Sequence, residues 1–388
     1  MEIRRIKREE MLDAFKVRTI AFSFSNFNEE EKKQLIAEMP EERFLEEWGC
    51  YTDEGKLVAA VRNNTFTAWY DGHQVRMGGI GGVACLPEYR YGGAVKNIMK
   101  ALLEQAREDG EVLSSLYPFS HEFYRKAGYE MCLPMMNYEF PTTLIAEYKH
   151  KGFVSRLEAG ESIEPLREVY RAYASKYNLM VDRVDDRYHI GEPYVAHQST
   201  MLLGDERGAR AYLYYGETVK DGKKCLVVKD VAFIDHEGFR MVLGFLSRMS
   251  AAHKSISMRL PADVPLTAMV PRPREIECRM QNSAMARITN VPKALELMKR
   301  PAGTEFTIEV EDAFLPVNSG VYHVSDAGVQ KIEGEADISM SVQALATVLV
   351  GFMDLDSVIY RSDVRLNGNA DQLRKAFIKK PFFITDDF

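Results

Sequence analysis

Gly78-Gly79-Ile80-Gly81-Gly82-Val83-Ala84-Cys85-Leu86-Pro87-Glu88-Tyr89-Arg90-Tyr91-Gly92-Gly93-Ala94-Val95-Lys96 is the stretch that decides the fold. Ile80–Leu86 is apolar and stops at Pro87, as a strand does. Glu88 to Gly93 form a basic, glycine-bearing turn. From Ala94 to about Arg107, the residues Val95, Ile98, Met99, Leu102, Leu103 and Ala106 make an apolar stripe at helical spacing, with Gly110 as the stop. Strand, turn and helix N-terminus together suit a pyrophosphate, because the unpaired amides of a first helical turn point outward and carry partial positive charge. Further on, Phe123-Tyr124-Arg125-Lys126-Ala127-Gly128-Tyr129 supplies a tyrosine as candidate proton donor. The combination points to transfer of a group from a phosphate-bearing carrier.

Arg90-Tyr91-Gly92-Gly93-Ala94-Val95 resembles the R-x-x-G-x-(G/A) acetyl-CoA loop of the GNAT N-acetyltransferases, and Tyr124-x-x-x-Gly128-Tyr129 resembles their Y-x-x-x-G-(F/Y) segment. In length and in its closing Phe388 the whole chain is similar to the Eis-like (enhanced intracellular survival) branch of that superfamily. Val95 departs from the loop pattern, a place where that branch tolerates a larger aliphatic residue. The resemblance implies an α+β (mixed α/β) protein. Its parts are tandem GNAT-like domains with mixed central sheets and a C-terminal sterol carrier protein-like α/β domain. It also implies acetyl-CoA as co-substrate, an aminoglycoside- or polyamine-like amine as acceptor, and a homohexamer.

At 388 residues the chain has room for two or three domains. The net charge of −7 argues against nucleic acid, which asks for a basic face, and suits a cationic small molecule. Five cysteines, Cys50, Cys85, Cys132, Cys225 and Cys278, are widely spaced and form no C-x-x-C pair. Reduced thiols in a cytoplasmic protein are expected, with no disulfide framework and no metal site. The first eight residues lack the apolar core of a signal peptide, and the apolar run Ala344–Met353 is too short for a bilayer, so no membrane segment is expected.

Residues 1–140 read as one unit. Glu10–Phe22 and Glu29–Glu38 have helical spacing, and Lys56–Tyr70 and Gln74–Leu86 are strands joined at Asp71-Gly72. Val112–Leu116 and Met136–Phe140 are further strands. A second unit, 141–283, repeats the order with a helix at Glu164–Tyr177, strands at Ala209–Tyr215 and Lys224–Phe233, a helix at Gly238–Ala252 and a strand at Ser255–Leu260. It carries Asp235-His236-Glu237-Gly238 where the first unit has its basic glycine turn, and carboxylates there repel a pyrophosphate. This unit is expected to lack cofactor binding. The third unit, 284–388, resembles the sterol carrier protein-like domain, with a strongly apolar helix at Ser341–Phe352.

Acyl transfer to an amine requires a polarised carbonyl, a held carrier, a deprotonated amine and a protonated leaving thiolate. Val83, Ala84 and Cys85 end the strand beside the turn, where a splayed edge leaves amides free for a pantetheine arm. Their residue types fit a plain core strand equally well. Arg90, Tyr91, Gly92, Gly93, Ala94 and Val95 are the expected pyrophosphate cradle, with Lys96 adding charge. Ser120 and His121 stand where related enzymes make a further cofactor contact, although a solvated loop accounts for them too. Tyr124 is the candidate general acid, since a phenol with a pKa near ~10 stays protonated at neutral pH. In Eis-like enzymes the chain end enters the first domain's active site as base, so the resemblance implies that role for the Phe388 carboxylate. The aromatic tail Pro381–Phe388 suits a segment packed in place. Cys85 lacks an evident base partner, which favours direct transfer over an acyl-enzyme. Phe22, Phe24, Phe27, Phe44 and Trp48 fit a pocket wall or core packing. Rival readings are a non-catalytic lipid carrier and a peptide or protein lysine acetyltransferase.

Overall fold

The computed structural model describes residues 1–23, 27–183 and 198–387. The first module runs β1 (Glu2–Arg5), α1 (Met11–Phe22), α2 (Glu29–Glu38), the single turn α3 (Glu41–Phe44), β2 (Glu47–Tyr51), β3 (Leu57–Tyr70) and β4 (His73–Cys85). It continues with α4 (Ala94–Glu108), β5 (Glu111–Leu116), α5 (His121–Arg125) and β6 (Glu130–Pro141). β3 and β4 form a long hairpin. Its turn residues Asp71 and Gly72 have φ of 49° and 84°, the geometry that matches strand twist. α4 buries Ala94, Ile98, Met99, Leu102, Leu103 and Ala106, and Gly110 ends it at a φ of 85°.

The second module holds β7 (Phe153–Arg156), α6 (Glu164–Ala174), β8 (Gln198–Asp205), β9 (Gly208–Lys220), β10 (Lys223–Phe233), α7 (His236–Ser247), β11 (Ser255–Leu260) and β12 (Glu277–Ile288). Its hairpin turns at Asp221-Gly222 with φ of 50° and 70°, repeating the first.

All these strands share one 12-stranded sheet, in the order β1-β2-β3-β4-β5-β12-β6-β11-β10-β9-β8-β7. The halves mirror each other. β4 pairs parallel with β5, and β5 antiparallel with β12; β10 pairs parallel with β11, and β11 antiparallel with β6. Each half therefore takes the strand beside its parallel pair from the other half, and β6 and β12 pair with each other at the centre. The sequence boundary placed between 283 and 284 falls inside β12. Residues 277–282 of that strand are exposed, so its polar half carries no buried face to betray a strand. β6 begins at Glu130, earlier than its apolar end suggests, and tolerates Pro134 beside the register shift at 282–284.

The third unit holds α8 (Val291–Leu297), β13 (Phe306–Glu311), β14 (Gly320–Ser325), β15 (Gly328–Ile332), β16 (Ile338–Ser341), α9 (Val342–Val350) and β17 (Val364–Leu366). Its five strands order as β15-β14-β13-β16-β17. Nearly all of α9 is buried, and the helix packs against β6 and β12 as well as its own sheet. One apolar cluster runs from Phe66, Met77 and Leu113 to Ile308, Leu345 and Val348. No helix among the described residues is long and apolar enough to cross a membrane.

One buried carboxyl sits under the first sheet. Asn63 Nδ2 donates to Glu111 Oε1 at 2.9 Å, while Glu111 Oε2 and Asn63 Oδ1 lack partners among the described residues. Both orphaned oxygens lie 2.4 Å from where a methyl group on Gly78 would stand, so only glycine fits there. Burial pushes the Glu111 carboxyl up to about 7, with Asn63 and Arg76 opposing the shift. Between the ordinary value of 4.5 and about 7 the native state then holds a proton that the unfolded chain has released, so stability falls as pH rises through that window. Glu111→Gln should abolish the slope, adding up to about 3 kcal/mol above pH 7 and little below pH 4.5, as read by urea denaturation across pH.

Candidate active site

β4 and β5 pair from Arg76↔Glu111 to Ile80↔Leu116, after which β4 runs on alone to Cys85, held only by β3. A wedge opens between them. Leu86 N–H donates to the Val58 carbonyl at 2.9 Å, so strand alternation turns the Cys85 and Val83 amides toward the open edge. At the mouth of the wedge Gly82 adopts a φ of 58° beside a register shift opposite residues 60–62, a bulge that bends β4 away from β5.

A buried arginine braces this bulge. Arg18, on α1, donates from Nε to the Gly82 carbonyl at 3.1 Å, and its other nitrogens bind Glu47. Arg62 Nε binds the same carboxylate at 2.7 Å. Burial raises the Glu47 carboxyl, yet Arg18 and Arg62 together hold it below the usual range, so it is a carboxylate. Sequence patterning gave no sign of Arg18, because an arginine on a helix face normally reaches solvent. Its spacing with Met11, Ala14 and Val17, all buried on the same helix, was the available signal.

The turn after β4 forms an anion-ready entrance to α4. Tyr91 is fully exposed and has a φ of 65°, and Gly93 caps α4 at a φ of 80° without any side-chain cap. No acidic residue occupies the first turn of α4. The exposed side chains of Arg90 and Lys96 have no ion-pair partner among the described residues. Gly92 and Ala94 complete the cradle, and Val95 turns its larger side chain onto the apolar cluster beneath it. An uncapped helix end, two unpaired cations and a strand edge with free amides fit the diphosphate and pantetheine of coenzyme A.

Tyr124 is buried in that same cluster with Ile80, Ala94 and Leu116, against which Val83 and Cys85 also pack. Phe119, Phe123 and Tyr129 surround its ring at centroid distances of 5.2, 5.1 and 6.2 Å. Its hydroxyl has no hydrogen-bond partner among the described residues. Burial pushes its pKa up, so the phenol keeps its proton. Tyr129 lies beneath, its hydroxyl 2.7 Å from Ser114 Oγ. Gly128 has a φ of 83°, and a methyl group there would overlap the buried Arg287 guanidinium, which binds both the Ala127 carbonyl and Asp312. Ser120 caps α5 by accepting from the Phe123 amide at 3.3 Å, and His121 is exposed beside it.

The C-terminal segment is docked along its length and touches the residue that follows β5. Asn178 N–H donates to the Pro381 carbonyl at 3.0 Å, and Phe383 N–H to the Asn178 carbonyl at 3.1 Å. Phe382 packs on Phe352 and Phe383 on Tyr177, while Lys380 pairs with Asp71. Tyr117, the residue after β5, donates its hydroxyl to the Asp386 carbonyl at 3.1 Å. Phe388 and Phe24 lie outside the described residues. Phe44 and Trp48 are buried core, Phe27 is half-buried and Phe22 is exposed. Among the described residues no group of three or more His, Cys, Asp or Glu is placed to hold a metal.

Known families match this layout piece by piece. Residues 2–132 and 179–288 each match an acetyltransferase (GNAT) domain, and residues 291–384 match a sterol carrier protein domain. The chain belongs to the GNAT acetyltransferases, in their Eis-like architecture. Such an enzyme takes its acetyl group from acetyl-CoA. The fold is shared along its whole length with a GCN5-related N-acetyltransferase from Anabaena variabilis, at a TM-score of 0.84, 20% identity and 100% coverage of both chains. Eis1 from Mycobacterium abscessus matches equally fully, at a TM-score of 0.83 and 21% identity. An uncharacterised N-acetyltransferase of Streptomyces coelicolor is 24% identical over 323 residues, 74% of each chain.

Two outcomes test the geometry of this GNAT site. Arg18→Met should let the bulge relax, cutting kcat about tenfold with the KM for acetyl-CoA within about twofold, because a charge-assisted hydrogen bond is lost where the acyl carbonyl would be polarised. Gly128→Ala should lower stability by at least about 3 kcal/mol in chemical denaturation, through a strained φ and the displaced Arg287.

Proposed function

We propose that the enzyme transfers the acetyl group directly to a primary amine of a small polycationic acceptor, of aminoglycoside or polyamine type. The observation that carries this reading is the docking of the tail, which brings Asp386 to Tyr117 at the end of β5, two residues from the chain's end. A terminal carboxylate, with an ordinary pKa near ~3.5, is ionised at neutral pH and accepts a proton from the incoming ammonium. The amine nitrogen then forms its bond to the acyl carbon as the carbon–sulfur bond breaks. Tyr124 donates its hydroxyl proton to the departing sulfur, and the proton that the acylated nitrogen gives up on becoming an amide restores the phenol. The Val83 and Cys85 amides, and the cradle Arg90–Val95 with Ser120 and His121 beside it, hold the donor. The exposed Asp387, next to Phe388 in sequence, favours a cationic acceptor.

Direct transfer is supported by Cys85. Its thiol is pushed up by burial, with Arg90 opposing, and its one hydrogen bond among the described residues runs from Sγ to the Leu86 carbonyl at 3.5 Å. A thiol in that state is a poor nucleophile. A lipid-carrier role finds little support in one open pocket of the third unit, of about 360 Å³, where Val310, Met340 and Val364 are outnumbered by polar residues such as Glu309, Asp363 and Arg365. The reading includes a homohexamer in the cytoplasm, and sedimentation at micromolar concentration checks the assembly.

Thiol release from acetyl-CoA should be stimulated by amino sugars or polyamines well above lysine peptides; the reverse order would move the assignment to protein acetylation. Tyr124→Phe should lower kcat about 100-fold while calorimetric affinity for acetyl-CoA holds within about twofold. With the phenol's pKa raised, the wild-type rate should show no descending alkaline limb below about pH 10. Deleting Phe388 should depress kcat comparably, and full activity in that chain would place the base elsewhere.

A further inference from the structure

The second module repeats the wedge of the first. β10 pairs with β11 only from Cys225↔Ser255 to Val227↔Ser257, then continues to Phe233. A register shift between Val228 and Asp230 follows, as Gly82 follows the last paired residue, Ile80, in β4. Asp230 therefore stands three positions beyond the last parallel pair, where Val83 stands in the first module. The helix entrance is closed as well. Asp235 accepts from the Gly238 amide at 3.0 Å and binds Arg210, so α7 is already capped.

The acid in this position is tied, through one arginine, to the C-terminal segment. Arg183 Nη1 donates to Asp230 Oδ2 at 2.7 Å, its Nε to Asp386 Oδ1 at 2.8 Å and its Nη2 to Thr385 Oγ1 at 3.3 Å. The guanidinium stacks 4.3 Å above the Tyr170 ring. Tyr212 donates to Asp230 at 2.8 Å, and Tyr170 donates to the Val181 carbonyl at 2.7 Å and reaches Asp386 Oδ2 at 3.5 Å. The Arg183 and Asp386 side chains are only 6% and 10% exposed. The second module thus grips Asp386 by its side chain, while Tyr117 of the first module holds the same residue by its carbonyl.

We infer that the diverged cleft of the second module is a socket for the C-terminal tail, with Arg183 as the positioning residue that aims the terminal carboxylate into the first module's active site. This rests on the reading of that carboxylate as the base. In the socket the tail's carboxylate replaces a ligand's negative charge, and Asp230 supplies the counter-carboxylate that fixes the guanidinium plane. The clamped side chain stands two residues before that carboxylate in the sequence. A carboxylate on a loose tail would sample the acceptor ammonium only a fraction of the time.

The test compares the full-length chain with Arg183→Met, Asp386→Asn and the chain lacking Phe388. Asp386→Asn preserves shape and leaves the Arg183–Asp230 pair, so it stands if Arg183→Met fails to fold. Each is digested with carboxypeptidase Y, counting released amino acids, and assayed for kcat and KM. In the wild type, release should stop before Asp386. In both variants it should run on through Asp386 to Ile384 about tenfold faster, as expected when one charge-assisted bond is lost, and kcat should fall toward that of the chain lacking Phe388 with the KM for acetyl-CoA within about twofold. A tail still protected in both folded variants, with kcat intact, overturns the socket even if deletion of Phe388 is damaging. A tail released in both variants, with the Phe388-deleted chain fully active, leaves the socket standing and removes the base assignment instead.

Discussion

The Arg287 guanidinium, fully buried, is where the three parts of the molecule meet. It projects from β12, the strand that the second module lends to the first. It binds the Ala127 carbonyl at the end of α5 and Asp312 in the third unit. Asp312 in turn accepts from the amides of Phe314 and Leu315 and from Asn318. A charge buried this deeply depends on its partners, and removing one typically costs roughly 3–5 kcal/mol. The turn that presents Tyr124 is therefore set by residues some 160 and 185 positions away, not by its own five-residue helix.

The sheet explains why such long-range bracing is needed. A wedge between two parallel strands is a place where backbone groups give up partners, and the cost must be met by fixing the strands around it. In the first module the brace is Arg18 against Gly82, with Glu47 between two arginines. The second module leaves its wedge to carboxylates and tyrosines. The same topology thus supports a cradle with open amides on one side and a closed, charged pocket on the other. The difference lies in a handful of side chains, not in strand order.

Features carried by neighbouring residues were legible in the sequence. The Asp-Gly turns, the α4 stripe with its glycine stop, and the basic turn at Arg90–Gly93 are all local, and their chemistry is written in three to fifteen consecutive positions. β12 was hidden because half of it is solvated and polar, so its place beside the first module's strands depends on pairing with β5, 171 residues away in the register Ser115↔Ala286. Arg18 was hidden for the opposite reason. A buried arginine is uncommon, and nothing nearby in sequence announces Glu47 or Gly82 as its partners. The tail's aromatic content suggested packing, yet only the fold reveals that its hold comes from Asn178, Tyr177, Arg183 and Tyr117.

The traded strands also have a consequence for biogenesis. While the ribosome is still making the second module, the nascent first module has β5 with an empty flank, since β12 has not yet been made. Its sheet closes only when Ile288 has emerged from the exit tunnel, and until then an apolar strand edge is open to chaperones or to the same edge on a neighbouring nascent chain. A fragment ending near residue 140 would keep the acetyl-donor cradle in its sequence while lacking the strand that completes its own hydrophobic core.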